Sequence, residues 1–416
     1  MIKTGLIGKN LSLSYSKYIH KLLGNKNYEL LSFDYKKDVL PLLDEEEFFY
    51  NLTIPFKEAF LKKIDEFSIE AKETGVVNTI IKRDGKSYGF NTDVDGFEAL
   101  LSKYNIKVKN KNVLILGTGA TSKTVAYVLN KLGVKSIIYF SRTPDHKTSF
   151  SYKSYKKYKD INIVINTTPI GKSFDDPSLL NFGKFNDLEV FIDVNYNLMH
   201  NQMINKAKEK GAFAVNALYM LVAQAIKSEE LFQNTTFDQG KKDEVYIKIL
   251  LKFNNIALIG HPFAGKTTIG QILAKELNAS FIDTDTSIEA KENMTINYII
   301  SNFGEDYFRE VETRIIKKSF SKTGYVISLG GGSITVKENI EYILSNSLVI
   351  SIDRNINKID FKNFKNRPLV LNEKDFLSIL FKRKKLYHLY ADIEVSNNKS
   401  VKDAIKIIME KLWKYL

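Results

Sequence analysis

The chain has 416 residues, 44% of them hydrophobic and 26% charged, which suits two or three globular domains and excludes a fibre or a disordered chain. Zero cysteines exclude disulfides, thiolate catalysis and cysteine metal sites, and five histidines leave little for zinc, so chemistry must come from Lys, Asp, Arg and backbone groups. An excess of 61 Lys and Arg over 48 Asp and Glu, net +13, admits nucleic acid, a membrane surface or phosphorylated ligands as partners, beside a plain coding bias toward lysine.

The opening Met1-Ile2-Lys3-Thr4-Gly5 passes into strand-like sequence with no basic region and apolar core, and no apolar run approaches the ~18 residues that span a bilayer. The chain therefore reads as cytoplasmic. Short Val- and Ile-rich runs, each followed by a glycine turn and an amphipathic stretch, predict parallel strands alternating with helices, an α/β fold. Strands are expected at Ile2 to Leu6, Val113 to Leu116, Ser136 to Phe140, Ile163 to Asn166, Val190 to Val194, Ile256 to Ile259, Tyr325 to Ser328 and Leu348 to Ile352.

The first glycine loop is Asn112-Val-Leu-Ile-Leu-Gly117-Thr-Gly119-Ala120-Thr121, a strand, a tight turn and a helix start. Gly117 permits the turn, Gly119 lets backbone approach a pyrophosphate, and the free N–H groups of the helix end favour an anion. After the next strand, Ser141-Arg142-Thr143 puts a cation where a chain reading NAD places an acid. That suits the 2′-phosphate of NADP.

Seven segments in order then resemble shikimate dehydrogenase over residues 1 to about 235: Ser14-Tyr-Ser16, Asn51-Leu-Thr53-Ile-Pro-Phe-Lys57, Gly75-Val-Val-Asn78-Thr, Gly89-Phe-Asn91-Thr-Asp93, Asn166-Thr-Thr-Pro-Ile-Gly171, Asp193-Val-Asn-Tyr196 and Met220-Leu-Val-Ala-Gln224. The resemblance implies a substrate-binding lobe at 1–100, a Rossmann NADP lobe at 101–215 and a closing helix at 216–232. It implies that Ser14 and Ser16 hold a substrate carboxylate, and that Gly117, Gly119, Ala120, Thr121, Ser141, Arg142 and Thr143 hold NADP(H). Thr53, Asn78, Tyr196 and Gln224 offer neutral hydrogen bonds to a hydroxylated ring. Reducing a ring ketone needs hydride on carbon and a proton on oxygen; Lys57 can supply the proton or stabilise the alkoxide, and Asp93 can pair with it and hold a substrate hydroxyl. Leu13 replaces a common histidine, Lys17 the usual proline, and Ala120-Thr121 stands where the family often has Gly-Ala. These departures can retune affinity and remove no catalytic group.

The polar, unpatterned stretch from Gln233 to Glu244 predicts a linker at 233–250, followed by a second domain at 251–416. There Gly260-His-Pro-Phe-Ala-Gly265-Lys266-Thr267-Thr268 fits the phosphate-binding pattern GxxxxGK[ST] between a strand and an expected helix from Ile269 to Leu277. Backbone N–H groups cradle phosphates, Lys266 reaches the β- and γ-phosphates, and Thr267 ligates Mg²⁺. Phe263 stands where related loops often carry glycine. With Phe281-Ile-Asp283-Thr-Asp285, Gly304 to Glu312, Gly330-Gly331-Gly332, Arg367-Pro-Leu and Arg383 with Tyr387, residues 252–416 resemble shikimate kinase, a P-loop fold like the nucleoside monophosphate kinases.

That resemblance makes Asp285 the group that holds and helps deprotonate the acceptor hydroxyl, and gives Asp283 to Mg²⁺ through water. Arg309 and Arg383 would clamp the substrate carboxylate, Gly330 to Gly332 would close over the ring, and Arg367 would neutralise nucleotide phosphates. Between Asp353 and Arg367 the family usually carries a longer lid with a second arginine. Here Asp360 occupies its place, with Lys358, Lys362 and Lys365 nearby.

Both halves thus point to one small molecule: NADPH-dependent reduction of 3-dehydroshikimate to shikimate, then Mg-ATP-dependent phosphorylation to shikimate 3-phosphate. The implied partners are small molecules, neither nucleic acid nor membrane, and the sequence leaves monomer or homodimer open. The competing readings are a quinate-preferring first half, one inactive half, or a basic nucleic-acid binder. Against the last, the charge is local: residues 101–160 carry a net +11 and residues 361–390 a net +6, leaving −4 for the rest. The excess reads as two anion sites, with lysine bias inflating it at Lys153 to Lys159.

Overall fold

The computed structural model describes residues 2–358 and 373–415, and the chain divides into two compact units, Met1–Ile249 and Leu250–Leu416. The first unit holds two sheets. One collects β1 (Lys3–Gly8), β2 (Glu29–Ser32), β3 (Phe48–Leu52), β4 (Glu66–Phe67), β5 (Thr79–Arg83) and β6 (Lys86–Phe90) in the order β2-β1-β3-β5-β6-β4. β1 lies parallel to β2 and β3, whereas β5 runs antiparallel to β3 and β6. The antiparallel turn departs from the expected strict alternation of strand and helix. Its cause is the Asp84-Gly85 pair, both left-handed at φ 49° and 73°, the backbone of a two-residue hairpin. Helices α1 (Ser16–Leu22), α2 (Lys36–Leu43) and α3 (Ile69–Thr74) flank this sheet, whereas α4 (Asp93–Lys103) buries its apolar face in the core of the second sheet. β3 is buried along its whole length, Asn51 included.

The second sheet holds β7 (Asn112–Leu116), β8 (Ser136–Ser141), β9 (Ser149–Ser151), β10 (Ile163–Asn166), β11 (Val190–Asp193) and β12 (Phe213–Asn216), all parallel, in the order β12-β11-β10-β7-β8-β9. With α5 (Ala120–Lys131), α6 (Gln202–Glu209) and α7 (Leu218–Gln233) this is the doubly wound dinucleotide order, in which the strand order reverses between β7 and β10.

The expected linker is mostly helix: α8 covers Gln239–Phe253. Val245, Tyr246 and Ile249 are buried, and Tyr246 meets Tyr219 edge-to-face at 5.0 Å and Tyr104 hydroxyl to hydroxyl at 3.4 Å. The apolar spacing 245, 246, 249 is a helical stripe; reading the polar residues ahead of it as the whole segment hid it.

The second unit has one parallel sheet, β13 (Asn255–Ile259), β14 (Ser280–Asp283), β15 (Tyr325–Ser328), β16 (Ser347–Asp353) and β17 (Ile393–Ser396), ordered β14-β15-β13-β16-β17. Its helices are α9 (Lys266–Glu276), α10 (Thr284–Glu292), α11 (Ile296–Phe320), α12 (Lys337–Ser345), α13 (Glu373–Tyr390) and α14 (Val401–Tyr415). α9 starts at Lys266, three residues earlier than expected, because the glycine loop itself launches the helix. α11 is kinked at Gly304, whose φ of 87° only glycine adopts readily. No described helix is long and apolar enough to cross a membrane.

Candidate active sites

In the first unit, the loop after β3 carries Lys57 to Asp93, the first residue of α4. Lys57 Nζ lies 2.5 Å from Asp93 Oδ2, with the two side chains 12% and 9% exposed. An acid in the first turn of a helix is stabilised by the free N–H groups there, and the pair sets an ammonium proton in a water-poor site, as general acid catalysis at a carbonyl oxygen requires. Asn78 Nδ2 donates to Asp93 Oδ1 at 3.0 Å and reaches Gln224 Oε1 at 3.3 Å. Its Oδ1 accepts the Thr92 N–H at 2.8 Å, which fixes the orientation of the amide. Asn78 is buried, and holding Asp93 uses much of its capacity. α7 brings Gln224 against α4 only because residue 96 is glycine: a Cβ there would stand 2.7 Å from the Met220 carbonyl.

Lys57, Asp93, Asn78 and Gln224 therefore form one cluster. Ser14 and Ser16 follow β1 and Thr53 follows β3, two strands that lie parallel and pair in register up to Ile7 and Leu52. Ser16 is buried and its N–H donates to Ser14 Oγ at 3.3 Å. Tyr196 follows β11 and meets the ring of Tyr15, between the two serines, edge-on at 5.1 Å. Burial, with Tyr15 beside it, pushes the Tyr196 phenol up to about 12, so it serves as a neutral hydrogen-bonding group.

The cofactor groups gather at the switch point. Gly117 has φ 102°, and a Cβ there would stand 2.8 Å from Thr167 Oγ1. Gly119 precedes α5 with no side-chain cap, and its Cβ would meet open space. Ala120 and Thr121 form the first turn of α5, so its N–H groups face that space, a cradle that fits a pyrophosphate. At the end of β8, Arg142 and Thr143 are exposed and suit a 2′-phosphate. Ser141 is buried, its Oγ accepting the Thr143 N–H at 3.2 Å, so it shapes this turn from inside.

In the second unit Gly260 and Gly265 have φ 143° and 93°, and a Cβ at Gly260 would stand 2.2 Å from the Ile352 carbonyl. Lys266 is buried and donates to the carbonyls of Gly260 and His261 at 2.9 and 3.0 Å. Thr267 Oγ1 donates to Asp283 Oδ2 at 2.7 Å, beside Thr268 at the start of α9. Hydroxyl and carboxylate oxygens at the mouth of a phosphate loop fit Mg²⁺, which takes few protein ligands and completes its shell with water and phosphate. Phe263 adopts φ 66°, the conformation for which related loops use glycine, and packs against Phe376 with Ile356, Ile379 and Leu380.

The acceptor side converges on the triglycine turn. A Cβ at Gly330 would stand 2.7 Å from Asp285 Oδ1, and one at Gly332 2.6 Å from Arg309 Nη2, so the turn lies against both. Tyr387 donates to the Gly331 carbonyl at 2.6 Å, and burial pushes its phenol up to about 12 against the pull of the Arg383 guanidinium. Arg309 is gripped by Glu312 at 2.7 Å and Glu305 at 3.0 Å; burial lowers its basicity, and these carboxylates overcome that and hold it above the ordinary value. Arg367, Asp360, Lys362 and Lys365 lie outside the described residues.

Several contributors were not named from sequence. Glu312 also accepts from Ser333 at 2.7 Å, and Thr284 Oγ1 accepts the Gly330 N–H at 3.1 Å. Asn397 reaches the Ala264 carbonyl at 2.9 Å, and His261 contacts Asp353 at 3.2 Å and Arg354. Glu312 sits three residues after Arg309, a spacing that places both on one helix face; the others are joined only by tertiary contacts.

The family model for shikimate kinase matches residues 262–413. The chain is 32% identical over 274 aligned residues to shikimate dehydrogenase (NADP(+)) of Clostridium perfringens strain 13, covering 60% of this chain and 98% of that protein. Among solved structures, shikimate dehydrogenase 1 from Peptoclostridium difficile matches with TM-score 0.55 and 32% identity, over 61% of this chain and 99% of that one. Shikimate 5-dehydrogenase from Thermus thermophilus, in complex with NADP(H) and shikimate, matches with TM-score 0.52 and 26% identity over 60% and 100% of the two chains.

Proposed function

Since the chain belongs to the shikimate dehydrogenase family over its front 60% and carries a shikimate kinase domain behind it, we propose that its two sites act in sequence on one molecule, NADPH-dependent reduction of 3-dehydroshikimate yielding the shikimate that the second site phosphorylates with ATP. In the first site Lys57 gives its proton to the carbonyl oxygen while Asp93, held by Asn78, keeps the ammonium aligned and accepts from a substrate hydroxyl. NADPH supplies the hydride. Gly117, Gly119, Ala120 and Thr121 hold its diphosphate, and Arg142 with Thr143 holds the 2′-phosphate. Ser14 and Ser16 take the substrate carboxylate, and Thr53, Tyr196 and Gln224 the ring hydroxyls.

In the second site Asp285 orients the acceptor hydroxyl and draws off its proton, Arg309 and Arg383 hold the carboxylate, and the backbone of Gly330 to Gly332 packs on the ring. Gly260 to Thr268 cradle the nucleotide phosphates, and Arg367 neutralises them. Mg²⁺, held by Thr267 and through water by Asp283, supplies charge neutralisation on the transferring group. Zero cysteines and dependence on NADPH and ATP suit a cytoplasmic setting with small-molecule partners only. The observation that carries the reading is the coexistence of a shielded Lys57–Asp93 pair and a phosphate loop abutting a triglycine acceptor turn. One coupled assay tests it: 3-dehydroshikimate with NADPH and Mg-ATP should yield shikimate 3-phosphate. Lys57→Ala should abolish reduction and spare phosphorylation, Lys266→Ala should do the reverse, and a wild-type chain active in only one half-reaction refutes the proposal.

A further inference from the structure

The mechanism above leaves unused a set of polar side chains buried behind the reduction site. α7 turns Ser228 and Glu229, neither with any exposed surface, into the substrate lobe. Ser228 Oγ lies 2.9 Å from Thr79 Oγ1 and 3.0 Å from Thr92 Oγ1, within 3.0 Å of Asn51 Nδ2, and 3.0 Å from the Gln224 carbonyl. Counting protons gives a consistent pattern. Ser228 has one hydrogen and two acceptor sites for these four contacts: its proton goes to the Gln224 carbonyl, its oxygen accepts from Asn51 and Thr92, and the Thr79 oxygen is held beside it with no hydrogen between them. The second Asn51 hydrogen goes to Thr79 Oγ1 at 2.9 Å, which frees the Thr79 proton for Asn78 Oδ1 at 3.2 Å. Asn51 Oδ1 in turn accepts from Tyr28 at 2.7 Å. Tyr28 stacks on His20 at 3.7 Å, and His20 Nδ1 meets Glu229 Oε1 at 2.6 Å. Every hydrogen-bonding position of Ser228 is thereby occupied, and a buried network satisfied throughout is rigid.

This ring bears on the reacting atoms. Thr92 N–H and Thr79 Oγ1 both point at Asn78 Oδ1, so they determine which way the Asn78 amide faces, and its Nδ2 holds Asp93. The same helix supplies Gln224, one turn before Ser228. We propose that Ser228 is a positioning residue for the reduction: its hydroxyl closes the ring of Thr79, Thr92 and Asn51 that fixes Asn78, and through Asn78 the Asp93 carboxylate beside Lys57. The inference rests on the Lys57–Asp93 reading.

The test uses the full chain with Ser228→Ala and, because that variant can fail to fold, the isosteric Thr79→Val. Each should lower kcat for 3-dehydroshikimate reduction by roughly tenfold to a hundredfold, the upper figure being the cost of a catalytic group misplaced by about 1 Å, with KM for NADPH unchanged. The solvent isotope effect on kcat should rise, since proton delivery becomes harder while hydride transfer does not. A purely structural role moves the unfolding midpoint and leaves the isotope effect and kcat per folded enzyme alone. Wild-type kcat and isotope effect in both variants, beside an inactive Lys57→Ala, overturn the positioning role alone. A Lys57→Ala chain that still reduces substrate overturns the catalytic pair and the positioning role with it.

Discussion

Tyr246 decides whether α8 is a tether or part of the first unit's fold. Its ring is 2% exposed, edge-on to Tyr219 at the start of α7 and hydroxyl to hydroxyl with Tyr104 at the end of α4. Asp243, one turn earlier, adds an ion pair with Lys103 at 3.4 Å. Tyr246→Ala removes a buried aromatic side chain, a change that costs about 3–5 kcal/mol, of which the ring pair contributes about 1 kcal/mol. In a unit of this size each kcal/mol moves the midpoint by roughly 2–4 °C, so thermal unfolding of the full chain, followed through reductase activity remaining after heating, should shift by about 10 °C. Tyr246→Phe keeps the ring and its packing, loses the polar contacts of the hydroxyl, and should cost about 1 kcal/mol. Since α4 and α7 carry Asp93 and Gln224, the alanine variant should lose reductase turnover at temperatures where the phenylalanine variant keeps it. An alanine variant within about 1 kcal/mol of wild type refutes the docking of α8 and restores the segment as a linker.

The strain at Phe263 has a sign that two substitutions separate. Both Phe263→Ala and Phe263→Gly lose the packing on Phe376, but only glycine relieves φ 66°, so glycine should be the more stable by about 1 kcal/mol in denaturant unfolding of the full chain. The opposite order means that the packing does not hold a strained backbone. Asp193 supplies a pH test. Burial raises its carboxyl from 3.8 to about 6 against the pull of the Asn195 backbone and the Asn201, Asn166 and Asn195 amides. With the folded value above the unfolded one, protonation favours the fold: the contribution is complete below about pH 4 and is lost as the pH rises through 6, about 3 kcal/mol in all. Relative to Asp193→Asn, the wild type should lose stability by that order between pH 4 and 7.5, and parallel curves would remove Asp193 as the cause.

What could be read from the sequence was whatever a contiguous segment encodes. Gly117, Gly260 and Gly265 each lie at a turn whose positive φ or close backbone approach demands them, so local chemistry announces both phosphate cradles. Lys57 and Asp93 are 36 positions apart, and only the order of the segments around them brought them together in advance. The buried ring around Ser228 was invisible because its members come from β3, β5, the start of α4 and α7, and a serine in an apolar helix carries no periodic signal. α8 failed for the opposite reason: its stripe is local, but polar residues at its start resembled a tether. Arg309 was named for its fork, whereas the glutamates that hold it decide where the fork points.

The proposed roles also account for where the charge went. Ketone reduction develops charge on one oxygen, so a single ammonium suffices, and Lys57 is balanced by Asp93 at 2.5 Å; the rest of that site is neutral, and a hydroxylated ring asks for no more. Phosphoryl transfer spreads charge over several oxygens and must also hold a nucleotide, while NADP brings a third phosphate to the first unit. Cations should therefore accumulate beside Arg142 and around Arg367 and Arg383, and not at the reduction centre, which is where the net +11 of residues 101–160 and +6 of residues 361–390 fall. A nucleic-acid surface would need those charges on one continuous face with exposed aromatics between them. On the proposed roles the basic windows belong to the phosphates and the carboxylate of small ligands, and the lysines from 153 to 159 are the remainder that those roles do not explain.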